Sequence, residues 1–249
     1  MKTRSEILNR AIALSSVFLL LTAVGISLSM RTGYNHAVED ARKDADNIAT
    51  MLEHNVELSM RGVELVLDQV LAHLHENELR DGEAFREAAA TEAMHRFLNE
   101  RLERLPQVDA ITLSGADGEA IVSSREWPTA PRNLVDRDYF IFQKENARGG
   151  TFVGLPALGK TTGQWSIFIS RRIESKSGEF LGVLAIIAHP GHFIEAYRAI
   201  AGIHGASALL ANKDGTIYLR FPDPEARTGE KIPRNLDWYK LVEQGGGTY

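Results

Sequence analysis

Four side chains stand out as able to do chemistry. Arg137 and Tyr139 lie in the segment Val135-Asp136-Arg137-Asp138-Tyr139-Phe140. Arg171 lies in the run Trp165-Ser166-Ile167-Phe168-Ile169-Ser170-Arg171-Arg172, and His189 follows the run that begins at Phe180. On extended backbone, residues two apart share a face, so Arg137 and Tyr139 are placed to act together. A guanidinium fork and a phenol hydroxyl suit a small carboxylate, which the first meets through two hydrogen bonds and the second through one. The competing reading pairs Arg137 with a neighbouring aspartate and packs Tyr139 in a core. On a strand, Arg171 shares a face with Trp165, Ile167 and Ile169, while Ser170 and Arg172 take the other. An arginine among those apolar side chains needs a partner, either a buried acid or a bound anion. His189 can donate to a carboxylate or sense pH, or it can be a hydrogen-bonded core histidine.

Other chemistries lack their residues. The chain has no cysteine, which excludes disulfides, thiol nucleophiles and cysteine metal sites. His54, His73, His75, His95, His192 and His204 form no set with metal-ligand spacing, so neither a metal nor a cofactor is expected. Ser114-Gly115-Ala116-Asp117-Gly118 is a turn without the following helix of a nucleophile elbow. Gly149-Gly150 and Gly245-Gly246-Gly247 lack the lysine and helix start of a phosphate loop. The net charge of −5 leaves no basic footprint for nucleic acid. An enzyme is therefore not expected. Recognition of a small organic anion is.

The elements that must hold those residues can be read from pattern. Trp165 to Arg172 and Phe180 to Ile187 are apolar, β-branched runs joined by Ser175-Lys176-Ser177-Gly178, and read as antiparallel strands around a tight turn. Val108 to Ser114 and Glu119 to Ser124 form a hairpin around Asp117-Gly118. Ala208 to Leu219, turning at Asp214-Gly215, repeats it about a hundred residues later. Proline at Pro190 favours the start of a helix over His192 to Ile200, ended by Gly202 and Gly205. Phe85, Ala89, Ala93, Phe97 and Leu98 mark an amphipathic helix that starts after Asp81-Gly82 and stops at Pro106. Lys160, in the Gly159-to-Gly163 loop, reads as a solvated charge.

The N-terminal part is different in kind. Ala11 to Met30 are 20 consecutive uncharged residues. In a helix they span about 30 Å, the thickness of a bilayer's hydrocarbon. Lys2, Arg4 and Arg10 precede them, which puts the N-terminus in the cytoplasm and everything after Arg31 outside. A cleaved signal peptide ending near Ser27-Leu28-Ser29 is the competing reading. Beyond it, Val38, Ala41, Ala45, Ile48, Leu52, Val56, Val63, Val66 and Val70 form one apolar stripe with three-four spacing. That stripe either dimerises with a second copy or packs on its own domain, and both can hold at different heights. The expected fold class is α+β: an N-terminal transmembrane helix, a long helix, then tandem antiparallel sheets of which the second is incomplete. The expected segments are residues 1–10 in the cytoplasm, 11–30 in the membrane, 31–105 as helices, 106–202 as a first sheet domain and 203–249 as an unfinished second one.

This order resembles the double Cache sensor domains of bacterial transmembrane receptors, PAS-like modules also called PDC, from residue 31 to about 249. The motifs that carry the resemblance are Asp138-Tyr139-Phe140, Gly149-Gly150-Thr151-Phe152-Val153-Gly154, Ser170-Arg171-Arg172 and Phe180-Leu181-Gly182-Val183. The likeness is greatest to sensors that precede diguanylate cyclases and histidine kinases. It implies a membrane-distal subdomain that holds a small ligand, a membrane-proximal one, an inner-membrane anchor and a homodimer through the long helix. It also implies a chain truncated before a second membrane span and an output domain. Two departures stand out. The Arg-x-Trp-Tyr signature of amino-acid-binding members is missing, Asp237-Trp238-Tyr239 lying in the other subdomain without the arginine. His189 also stands before Pro190 where the pattern has aspartate. Two other readings are a ligand-free dimeric periplasmic spacer and a binding protein released by signal cleavage.

Overall fold

The computed structural model describes residues 4–76, 79–193, 207–223 and 227–247. The chain divides into two units, residues 1–53 and 54–249. The first is helical throughout its described part, which belongs to α1 (Arg4–Glu76). Its side chains from Ile12 to Met30 stand exposed, Phe18, Leu19, Leu20 and Leu21 among them. Among the described residues this is the one helix long and apolar enough to cross a membrane.

In the second unit the last turns of α1 change character. Val63, Val66, Leu67, Val70 and Leu74 are buried, whereas Leu65 stays exposed. The helix has a single core face, and for those turns the apolar stripe packs within the chain's own domain. Two short helices follow, α2 (Gly82–Ala89) and α3 (Glu92–Leu102), where one was expected. Capping explains the division. Thr91 takes an extended conformation and its hydroxyl accepts from the Met94 N–H, which starts a new helix. Asp81 caps α2 in the same way, accepting from Glu83 and Ala84.

The sheet comes next. Strands β1 (Val108–Gly115), β2 (Ala120–Ser123), β3 (Phe152–Val153), β4 (Ala157–Leu158), β5 (Trp165–Glu174) and β6 (Phe180–Ala188) form six strands in the order β2-β1-β6-β5-β3, with β4 also on β5. Every pairing is antiparallel. The register sorts side chains into two faces. Leu113, Leu184 and Arg171 lie in line on one face, as do Ile111, Ile186 and Ile169. That face meets the N-terminal helices: the Phe85 ring of α2 lies over Gly182, where a Cβ would fall 1.9 Å from the Ser114 carbonyl oxygen. Only glycine fits there. Phe168, Ile187 and Ala110 line up on the opposite face, and so do Ser170, Ala185, Thr112 and Ser123.

Against that second face lies α4 (Asp138–Glu145). The extended backbone expected through Arg137 and Tyr139 is corrected here: Arg137 is extended (φ −80°, ψ 136°), but a helix begins at Asp138. Eight residues make a marginal helix alone, so tertiary contacts supply its stability. Tyr139 stacks on Phe168 at 5.0 Å, Phe140 meets Phe180 edge-on at 5.8 Å and Phe142 stacks on Phe152 at 4.0 Å. The C-terminal end is held by Arg172, which donates to the carbonyls of Gln143 and Lys144, where helix orientation favours a cation.

The second hairpin, β7 (Ala208–Ala211) and β8 (Ile217–Phe221), forms a separate two-stranded sheet. The repeat seen in sequence extends into its bonding. Gly118 and Gly215 both have positive φ, 79° and 87°. Asp117 accepts from the Glu119 N–H as Asp214 does from Thr216. Leu134 and Ile232 then donate back to the carbonyls of the two turn glycines. The Thr216 amide and Lys231 together draw the Asp214 carboxyl down to about 2. A short helix, Trp238–Glu243, follows. The helix expected over His192–Ile200 falls mostly outside the described residues, which show one 3-10 turn at Pro190–Phe193. The glycines expected to end it, Gly202 and Gly205, lie outside them altogether.

Candidate functional site

The face of the sheet that carries α4 also carries a cavity of about 40 Å³. Its floor is Ala110 and Thr112 of β1, Ser123 of β2, Ser166 and Phe168 of β5 and Ile187 of β6. These positions share a face because the strands alternate and the register aligns them. Leu134, Arg137 and Tyr139 form one wall, contributed by the approach to α4 and its first turn. Arg125 and Arg132, from the connection after β2, and the Gly159–Thr162 loop close the rest.

Arg137 is the most informative side chain. Its Nη2 donates to the Leu158 carbonyl at 2.9 Å and its guanidinium stands 5.6 Å from the Phe168 ring centroid. Its Nε is buried with no hydrogen-bond partner. A buried donor on a charged group left unsatisfied costs about 1–3 kcal/mol or more. Tyr139 is 2% exposed, stacked on Phe168, and burial raises its phenol pKa well above the ordinary value. Its hydroxyl therefore stays protonated and available as a donor.

Lys160 and Arg132 are already engaged. Lys160 donates to the Asn133 carbonyl and to Asp136, whose carboxyl is held below its ordinary pKa chiefly by that hydrogen bond. Lys160, expected as a solvated charge, is exposed, and its side chain also lines the cavity and is ion-paired. Arg132 pairs with Glu126 at 2.8 Å and donates to the Thr161 hydroxyl at 2.9 Å. Arg125 makes no ion pair among the described residues. The cavity thus has four cations in its lining, Arg125, Arg132, Arg137 and Lys160, and no aspartate or glutamate among its described lining residues.

Asp138, between the two predicted residues, does positional work. Its Oδ1 accepts from the Tyr139 N–H and its Oδ2 from the Leu155 N–H, both at 2.7 Å. The carboxylate comes so close to Gly154 that a Cβ there would lie 2.9 Å from Oδ1. Gly154 also donates to the Phe168 carbonyl and accepts from the Tyr218 hydroxyl of β8, at 2.8 and 3.1 Å. One glycine therefore joins α4, β5 and the second sheet.

The structure brings Arg137 and Tyr139 together and leaves Arg171 and His189 elsewhere. Arg171 points from β5 to the opposite face, where Nε donates to the Thr151 hydroxyl at 2.8 Å and Nη2 to Asp68 of α1 at 2.9 Å. The partner required by its apolar neighbours is an acid and not an anion in the cavity. His189 is outside the lining; its Nδ1 accepts from the Gly191 N–H at the turn after β6. Sequence reasoning missed Arg125, Arg132 and the hydroxyls of Thr112, Ser123 and Ser166. The available signal was polar residues at one parity of otherwise apolar strands. It also missed Gln143, fully buried, whose amide donates to the carbonyls of Gly150 and Ser170 and ties α4 to β5.

Comparison with known proteins bears on this geometry. The Cache domain profile dCache_1 matches residues 29–245. The chain is similar in structure to the extracellular domain of rpHK1S-Z16, a protein described as a histidine kinase, with a TM-score of 0.67, 22% identity and coverage of 81% of this chain and 77% of that one. It is similar to the ligand-binding domain of the Pseudomonas fluorescens chemoreceptor CtaA solved with L-serine (TM-score 0.56, 18% identity, coverage 77% and 78%). It is also similar to the sensory domain of the Campylobacter jejuni chemoreceptor Tlp3 solved with isoleucine (TM-score 0.58, 15% identity, coverage 82% and 80%). No curated protein sequence matches it.

Proposed function

The chain belongs to the Cache domain family, and on that premise we propose that it is the extracytoplasmic ligand-sensing portion of a membrane-anchored bacterial signal-transduction receptor. The ligand in this reading is a small organic carboxylate, held by Arg137 and Tyr139. Arg171 makes no ligand contact and instead links β5 to α1 through Asp68. The apolar run of α1 is the inner-membrane anchor. Lys2, Arg4 and Arg10 keep its N-terminus in the cytoplasm, so a reporter fused after Leu79 should be periplasmic.

The observation that carries the reading is the charge of the cavity's described lining, which has four cations, Arg137 among them, and no acids. The test is a thermal-shift screen of the full chain in detergent against small acids, amino acids, amines and sugars. A specific ligand at a hundred times its dissociation constant should add about 2.7 kcal/mol of stability. A melting temperature unmoved by the whole panel would leave a structural spacer as the better account. A second reading, an amino-acid ligand, is favoured by the chemoreceptor neighbours solved with serine and isoleucine, since an amino acid offers the same carboxylate to Arg137.

A further inference from the structure

The cavity lining separates those two readings. A zwitterionic amino acid carries an ammonium group, and a buried ammonium needs an acceptor, preferably a carboxylate. The described lining supplies no carboxylate. The acids adjoining the lining residues in sequence are already engaged: Asp136 by Lys160, Glu126 by Arg132, and Asp138 by the amides of Tyr139 and Leu155. An ammonium entering here would also lie beside the Arg137 guanidinium, a like charge in a partly desolvated site. The acceptors that remain are hydroxyls such as Thr112, Ser123 and Ser166, which serve a hydroxyl or keto oxygen as well as they serve an amine.

Size narrows the class further. A water needs about 10–15 Å³ of such volume. A cavity of about 40 Å³ therefore has roughly three water-sized positions. It takes a ligand of a few heavy atoms without rearrangement. The walls are mixed: beside the cations lie Ala110, Leu134, Ile187 and the Phe168 ring, which favour a carbon skeleton over a bare inorganic anion.

We infer that the ligand is a carboxylate of about two or three carbons without an ammonium group, such as acetate, propionate, lactate or pyruvate. This inference rests on the sensor reading above and deepens it. Its test uses pairs matched in size and differing in the amine: acetate against glycine, and propionate, lactate and pyruvate against alanine. Inorganic phosphate and succinate extend the series. Each is titrated calorimetrically into the full chain in detergent, wild type and Arg137→Ala, and the melting temperature is followed in parallel.

The expected result is binding by at least one amine-free acid, at least tenfold tighter than its amino counterpart, and lost in Arg137→Ala. Glycine or alanine binding as tightly as the matched acid would overturn the inference on charge and leave the sensor reading standing. Binding of phosphate alone, or of succinate without any shorter acid, would overturn it on skeleton or on size, again with the sensor reading intact. Binding undiminished in Arg137→Ala would overturn the assignment to this cavity. If none of these compounds and none of the wider panel bind, the sensor reading falls with it.

Discussion

At the scale of single residues, the cations of the cavity divide by whether they already have an ion-pair partner. Arg137 makes no ion pair among the described residues and Lys160 has Asp136, although both line the cavity. Charge-assisted hydrogen bonds contribute about 1.5–3 kcal/mol each, so Arg137→Ala should weaken ligand binding by roughly ten- to a hundred-fold. Lys160→Ala should cost less affinity, and its exposed ion pair should be worth no more than about 1 kcal/mol of stability. Calorimetric titration and urea denaturation of the two variants measure both quantities; equal loss of affinity would show that Lys160 also reaches the ligand. Arg137 and Tyr139 were legible in the sequence because they are two positions apart and chemically suited to one anion. Their supposed geometry was wrong, since a helix begins between them, yet both reach the cavity. Arg171 was legible as an arginine in need of a partner. That the partner is Asp68, more than a hundred residues earlier, depends on long-range packing that no local pattern encodes. Thr112, Ser123 and Ser166 converge only through strand register, and were invisible for the same reason.

At the scale of elements, the hairpins were readable because turn chemistry is local: Asp-Gly at both turns, positive φ at both glycines and the same aspartate-to-amide bond beside each. The helix α4 was not, because its stability comes from aromatic contacts with β3, β5 and β6 and from the bonds of Gln143 and Arg172 to neighbouring backbone. Gln143 tests that account. Gln143→Leu keeps the volume but removes the amide that serves the Gly150 and Ser170 carbonyls. It should destabilise the domain by about 1–3 kcal/mol in urea denaturation. Because α4 carries Tyr139, affinity for the ligand should fall as well. A variant as stable as wild type would mean that the aromatic contacts alone hold the helix.

At the scale of the whole molecule, the apolar stripe of the long helix divides by height. Val63, Val66 and Val70 are consumed by the chain's own core, while Val38 is half exposed at 50%. Any dimer seam therefore belongs to the lower turns, around Val38, Ala41 and Ala45. The absence of native cysteine makes this direct to measure. In oxidised membranes Val38→Cys should form a disulfide-linked dimer and Asp40→Cys, about 200° round the helix, should not. Equal crosslinking at both positions, or at neither, would remove the seam. The alternation of β5 has a different consequence. Its even-numbered residues Ser166, Phe168 and Ser170 answer to the cavity and α4, and its odd-numbered residues Ile167, Ile169 and Arg171 answer to the opposite side, where Asp68 waits. The lining of the cavity and the tie to the long helix are thus written in interleaved letters of one strand. The two vocabularies can drift apart under selection, so that the cavity is reshaped at even positions while Arg171 keeps its bond to Asp68.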